Sequence, residues 1–303
     1  MSAAQYRAQV RLLVRLIPLI AGEPHFALKG GTAINLFWRD LPRLSVDIDL
    51  TYLPVADRIA SLSAIDAAMR RLAAAIRAAI RGTVVDLQGG EDGLIRRLLV
   101  RADAVQVKIE VTPVLRGVVF APERRDVAPA VEAAFGFAEA NLVSFADLYA
   151  GKMVAALDRQ HPRDLFDVRD LLANEGLTRP LIDAFLVYLV SHNRPMAEVL
   201  APNRKDLAEE FERNFVGMTS EPVALAALVQ AREDLIAGLH AALTDTDRRF
   251  LMSVKSGAPD WAMVGLPQAA ALPAVQWRLQ NLAGLPLARR QALADRLQEV
   301  LKL

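Results

Sequence analysis

Apolar residues recur along this chain with two different periods, and the change from one to the other divides it. Residues 44–53, LSVDIDLTYL, alternate. A strand there sends Val46, Ile48 and Leu50 to one face and Ser45, Asp47, Asp49 and Thr51 to the other. Residues 105–111 alternate again, with Val105, Val107, Ile109 and Val111 opposite Gln106, Lys108 and Glu110. Apolar stretches at 84–87 and 94–101 precede it, and the short link at 102–104 predicts a hairpin. Residues 25–28 read as a short strand, and residues 32–39 as a helix ending before Pro42. Between the strands, Ile59, Leu62, Ile65, Met69, Leu72, Ile76 and Ile80 fall at helical spacing, closed by Gly82. Residues 116–140, rich in glycine, proline and arginine, read as an irregular connection. From residue 144 onward the period is helical, over 144–159, 162–172, 185–190, 207–215, 223–243 and 287–301, with loops at 193–204 and 255–273. The expected class is α/β (α+β). A mixed, twisted sheet flanked by helices occupies residues 1–140, and a helical domain occupies residues 141–303.

Composition narrows the chemistry. The chain has 303 residues, 53% of them hydrophobic, which is ample for two cores. It has no cysteine, so disulfides and thiolate metal sites are excluded and a reducing cytoplasm is the simplest home. His25, His161, His192 and His240 are scattered, which disfavours zinc. A net charge of +1 means that any nucleic acid must meet a local basic surface. No apolar run is long enough to span a bilayer, so no membrane partner is expected. The N-terminal stretch carries Arg7, Arg11 and Arg15 on one helical face, as an amphipathic helix does and a signal peptide does not. Those arginines fit either a solvated face or a basic stripe.

Chemistry concentrates between residues 29 and 50. Asp47 and Asp49 on one strand face would lie about 6–7 Å apart and repel unless a cation sits between them. Magnesium suits hard carboxylate oxygens and leaves room for substrate phosphates. Gly30 and Gly31 allow the backbone to approach a ligand closely, and Thr32 is placed to cap the following helix, whose N-terminus favours phosphate. Ser45 shares the polar face with the aspartates. Taken singly, each feature also fits a plain turn, cap or solvated strand. Together they describe a nucleoside triphosphate held by Gly30, Gly31, Thr32 and Ser45 at one end and by metal at the other.

With LKGGTAINLF (28–37), RLSVDIDL (43–50), Lys152 and RDLFDV (163–168), the chain resembles the AbiEii/AbiGii-type nucleotidyltransferase toxins of the polymerase-β-like nucleotidyltransferase superfamily. The resemblance implies a third carboxylate on a neighbouring strand, a metal ligand or catalytic base, which Glu110 matches by position, though its pattern equally fits a surface glutamate beside Lys108. It also implies that Lys152 binds the triphosphate and that an aspartate of the second segment serves the active site. Asp167 is the expected one and Asp164 the structural one. From pattern alone, Lys152 could equally extend its ammonium to solvent. The implied reaction is magnesium-dependent transfer of a nucleotide, with the first helices of the C-terminal domain completing the site. A cognate antitoxin is implied as partner, and a tRNA end as acceptor. A protein or small-molecule acceptor and a non-catalytic nucleotide-binding module are the alternatives. Arg39, Arg43, Arg96 and Arg97, with the three N-terminal arginines, are the cations available to an RNA.

Overall fold

The computed structural model describes residues 3–303. The chain divides into two compact units, Met1–Ser144 and Phe145–Leu303.

The first unit is built on a mixed seven-stranded sheet. Its strands are β1 (Phe26–Lys29), β2 (Ile48–Tyr52), β3 (Val84–Gly89), β4 (Ile95–Ala102), β5 (Val105–Val111), β6 (Glu123–Asp126) and β7 (Glu139–Leu142), in the order β3-β4-β5-β2-β1-β7-β6. Four helices accompany them: α1 (Ala3–Ala21), α2 (Gly30–Ala33), α3 (Arg58–Ala79) and α4 (Pro129–Phe135). Alternation works as expected in the sheet centre, where Ile48, Leu50, Val107, Ile109 and Val111 are buried. Helix α1 packs on β1, β5 and β7, and α3 packs on β3 and β4. Arg7, Arg11 and Arg15 point to solvent while Val10, Leu13, Leu16, Ile17 and Ile20 are buried, the division an amphipathic helix gives. Asp57 caps α3 by accepting from the Ala60 amide at 2.9 Å, and Gly82, at φ 79°, ends the turn beyond it. Ile59 keeps the helical phase yet is 82% exposed, because periodicity supplies a direction and not a partner.

Three expectations need correction here. The aspartate strand is shorter than residues 44–53: only Ile48–Tyr52 pairs, and Asp47 stands just before it. The Asp47 carbonyl is taken by the hydroxyl of Thr32, so a side chain satisfies backbone that a ladder would otherwise use. The helix expected from Thr32 begins instead at Gly30 and passes into a π-helical turn over Ile34–Trp38, so Thr32 lies inside the helix and caps nothing. The connection at 116–140 contains β6, α4 and the start of β7. Strand β6 reads Glu-Arg-Arg-Asp and pairs only with β7 at the sheet edge, where charge is favoured and no buried face imposes alternation.

The second unit is helical, with α5 (Phe145–Asp158), α6 (Pro162–Asn174), α7 (Arg179–Ser191), α8 (Met196–Leu200), α9 (Ala208–Asn214), α10 (Leu225–Ala242), α11 (Asp245–Ser256), α12 (Pro273–Ala283) and α13 (Leu287–Leu301). Helix α5 packs against α6 and α7, and α6 against α10. The stretches expected as loops hold α8 and two short 3-10 turns, Trp261–Val264 and Pro267–Ala271. The link from α5 to α6 turns at Gln160, which has a positive φ of 52°. Its side chain is fixed on both sides, donating to the Asn203 carbonyl at 2.7 Å and accepting from the Lys205 amide at 3.0 Å. Among the described residues, no helix is long and apolar enough to cross a membrane.

Candidate active site

In the first unit the sheet register brings four charged residues into one row. Lys29 on β1 pairs with Asp49 on β2, Asp49 with Glu110 on β5, and Glu110 with Arg97 on β4. Residues paired across strands share a face, so the row reads plus, minus, minus, plus along one side of the sheet. Lys108, two residues before Glu110, stands on that face as well. Its Nζ lies 3.1 Å from Oε2 of Glu110 and 3.6 Å from Oδ2 of Asp47. Arg97 holds the other oxygen of Glu110 at 2.6 Å.

These contacts set the charges. Burial works against the ionised Glu110, but hydrogen bonds from Arg97 and Lys108 outweigh it and hold the carboxyl below its usual range. Burial likewise opposes the charge on Lys108, yet the fields of Asp47 and Glu110 raise its pKa overall. Lys29 goes the other way. Burial lowers its pKa, and the attraction of Asp49 and Glu110 restores only part of the loss.

The paired glycines are explained by what lies against them. Gly30 has φ 76°, and a Cβ there would stand 2.6 Å from Oδ2 of Asp49. A Cβ on Gly31 would meet the Arg43 guanidinium at 2.7 Å and the Ser45 hydroxyl at 2.9 Å. Both glycines therefore let side chains of this chain approach the helix start. Thr32 donates to the Asp47 carbonyl, so at the 3.1 Å contact with Ser45 the serine hydroxyl is the donor. Thr32 and Ser45 thus fasten the segment that carries Asp47. Arg43 is only 3% exposed and donates to the Leu44 carbonyl at 2.9 Å, so it braces this loop and is not part of an open surface for RNA, as had been expected of it.

The donor set suits a divalent cation in part. Asp47 and Asp49 offer hard oxygens on one face, and the missing Cβ of Gly30 leaves space at Asp49. Glu110 has both oxygens engaged by Arg97 and Lys108. Among the described residues no group of three or more carboxylates and histidines is gathered tightly enough to hold a metal by itself.

The second unit contains its own charged cluster. Lys152 on α5 is 8% exposed, and its Nζ lies 2.9 Å from both Asp164 and Asp167 on α6. The lysine is thus buried between two aspartates, and the reading in which it extends to solvent is excluded. Asp164 also accepts from Arg159, which grips both of its oxygens. Burial alone would raise the Asp164 pKa, but Lys152 and Arg159 draw it far below the ordinary 3.8. Asp164 and Asp167 both hold the Lys152 ammonium. The arginine that pairs with Asp164 is Arg159 and not the adjacent Arg163.

Sequence reasoning missed Lys29, Lys108, Arg97 and Arg159 as members of these clusters. Arg159 was legible, since it follows Lys152 by seven residues and so shares its helix face. Lys108 was visible on the polar side of an alternating strand. Lys29 and Arg97 depend on strand order, which no local pattern fixes.

A mixed sheet presenting carboxylates beside a glycine turn that opens a helix is the arrangement of a nucleotidyltransferase, and comparisons with known proteins agree. The family model described as "Nucleotidyl transferase AbiEii toxin, Type IV TA system" matches residues 11–281. The chain belongs to that family and is a nucleotidyltransferase toxin of a type IV toxin–antitoxin system. Membership brings a nucleoside triphosphate as substrate and a cognate antitoxin as partner. Among solved structures, MenT4, a nucleotidyltransferase toxin from Mycobacterium tuberculosis H37Rv, is similar in fold, with a TM-score of 0.63 and 17% identity. That similarity covers 93% of this chain and 95% of MenT4. No curated protein matches by sequence.

Two substitutions probe the clusters. Gly30→Ala forces a Cβ into both the left-handed region and the Asp49 carboxylate, and should cost about 1–2 kcal/mol from the backbone alone. Chemical unfolding of the full chain measures it, and an unchanged midpoint would refute the close approach. Asp164→Asn breaks a buried pair and should cost about 3–5 kcal/mol. Because the folded carboxyl releases its proton more readily than the unfolded one, this stability is present above the ordinary pKa of 3.8 and is lost as pH falls below it. The stability gap between wild type and Asp164→Asn should therefore begin to narrow near about pH 4 and keep narrowing as the pH falls further.

Proposed function

We propose that the chain transfers a nucleoside monophosphate from a triphosphate to the 3′ end of tRNA, and that the transfer requires magnesium. The observation that carries this reading is the charged row of Lys29, Asp49 and Glu110 with Gly30 pressed against Asp49. Asp47 and Asp49 would hold the metal, which when bound supplies Lewis-acid charge at the phosphates and lowers the pKa of an attacking hydroxyl. Gly30, Gly31, Thr32 and Ser45 shape the turn and are the nucleotide-binding set in this reading. Thr32 and Ser45 do so through the contacts that fix Asp47. Lys108 and Lys29 offset the repulsion among the carboxylates. Glu110 completes the acidic face. Its lowered pKa suits it to electrostatic holding better than to accepting a proton, for which a pKa near the working pH is needed.

Lys152 and Asp167, in the second unit, enter the proposal only through the family resemblance. A lysine fixed between two aspartates keeps its position, which is what neutralising a departing pyrophosphate asks of it. The acceptor must be drawn in by local cations, because the whole chain carries only +1. Arg7, Arg11 and Arg15 are exposed and available for this.

Pure protein incubated with each labelled triphosphate and total RNA, with magnesium or a chelator, tests the reading. Label should appear on RNA of tRNA size only when magnesium is present. Asp47→Asn and Asp49→Asn should each lower transfer by about 10²-fold or more without loss of fold. Label on protein or on a small molecule would replace the acceptor, and turnover indifferent to chelation would remove the metal. Lys152→Ala, assayed where melting shows it folded, should lose transfer by a similar factor.

A further inference from the structure

Outside the charged row, the first unit holds an open groove of about 570 Å³ between the π-helical turn at Ile34–Trp38, strand β6 and the start of α4. Its lining includes Trp38, Arg39, Asp40, Arg124, Arg125 and Asp126. The Cζ of Arg125 stands over the indole of Trp38, 3.6 Å from the ring centroid, and its Nε donates to the Phe37 carbonyl at 3.2 Å. The guanidinium is therefore fixed as a plane. Of the two carboxylates, Asp40 is already engaged, accepting from the Ala130 amide at 3.0 Å where α4 begins. Arg124 is held by Glu139 through both its Nε, at 2.9 Å, and an Nη, yet keeps a largely exposed side chain, and Arg39 donates to the Trp38 carbonyl at 3.3 Å. The groove combines a planar cation–aromatic platform with two further guanidinium groups.

We infer that this groove binds single-stranded polynucleotide, one base stacking on the Arg125–Trp38 platform while Arg39 and Arg124 meet the backbone phosphates. A stacked platform accepts any base because every base has a π face, and flanking arginines follow the phosphates without reading sequence. An acidic peptide would use the charges but has no need of the plane. Position supports the same occupant. Helical turns run without a break from Gly30 to Trp38, which at about 1.5 Å per residue sets Trp38 about 12 Å from the glycine turn. A strand lying in the groove can thus extend toward the aspartates. The inference rests on the transferase reading for its purpose, though not for its binding chemistry.

The test is fluorescence anisotropy of labelled oligouridylate and oligothymidylate titrated with the full-length chain at fixed salt. Arg125→Lys keeps the charge and loses the plane, so it should weaken binding at least about fivefold. Arg124→Gln, which removes the charge without setting a carboxylate against Glu139, should weaken binding and flatten its salt dependence, with melting of the variant checked alongside. Preference for the uridylate assigns RNA, and equal affinity assigns polynucleotide in general. Undiminished binding by Arg125→Lys, or tighter binding of a labelled oligoglutamate than of either oligonucleotide, overturns the inference. Oligonucleotide that binds through Arg125 but is never labelled by triphosphate sinks the transferase acceptor and leaves the groove standing. Labelled RNA with unaltered Arg125→Lys binding is the reverse.

Discussion

Carboxylates gathered on one face of a sheet repel one another, and the first unit is arranged around how that repulsion is answered. Asp47, Asp49 and Glu110 could not share a face of β2 and β5 at low cost without cations beside them. Lys108 stands against Asp47 and Glu110, Arg97 closes on Glu110, and Lys29 lies across from Asp49. The charges are placed by register, so a slip of one residue in any of these strands would send them to the core face and bring Ile48 or Ile109 outward. The buried alternation of β2 and β5 is what forbids that slip.

The glycine turn answers the same constraint from the helix side. A residue with a Cβ at position 30 would push Asp49 out of the row, and one at position 31 would displace Arg43 and Ser45. Thr32 and Ser45 then pin Asp47 through its own carbonyl. The shortened strand and the early helix start follow from this: the chain gives up ladder positions before Ile48 and a side-chain cap, and gains a fixed loop at the carboxylates.

The second unit answers a comparable problem with burial. Lys152 sits between Asp164 and Asp167, with Arg159 on the outer side of Asp164. Buried pairs of this kind add little net stability against an apolar core, but removing one partner is costly. What they secure is the position of an ammonium group, which packing alone does not provide. Exposed pairs elsewhere, such as Arg213 with Glu209, carry no comparable constraint.

Sequence by itself determined the elements whose periodicity reports a buried face. The aspartate strand, the hairpin of β4 and β5, helix α3 and the helical second unit were legible because their apolar residues recur at periods that only one structure satisfies. Asp47, Asp49, Lys152, Asp164 and Asp167 were legible as well, through the glycine pair, the two strand aspartates and the Lys152 and RDLFD segments, while the cations that pair with them were missed. Strand β6 and helix α4 were not, since a four-residue charged edge strand buries too little to leave a pattern. Tertiary structure alone decided that Lys29, Asp49, Glu110 and Arg97 form one row, because that depends on which strands lie side by side. It also decided that Thr32 serves Asp47 in place of a helix end, that Arg43 is a buried brace, and that Lys152 is held by two aspartates. In each case the sequence supplies the chemical group, while the partner comes from chain segments far away in sequence, whose meeting is set by packing and not by any local propensity.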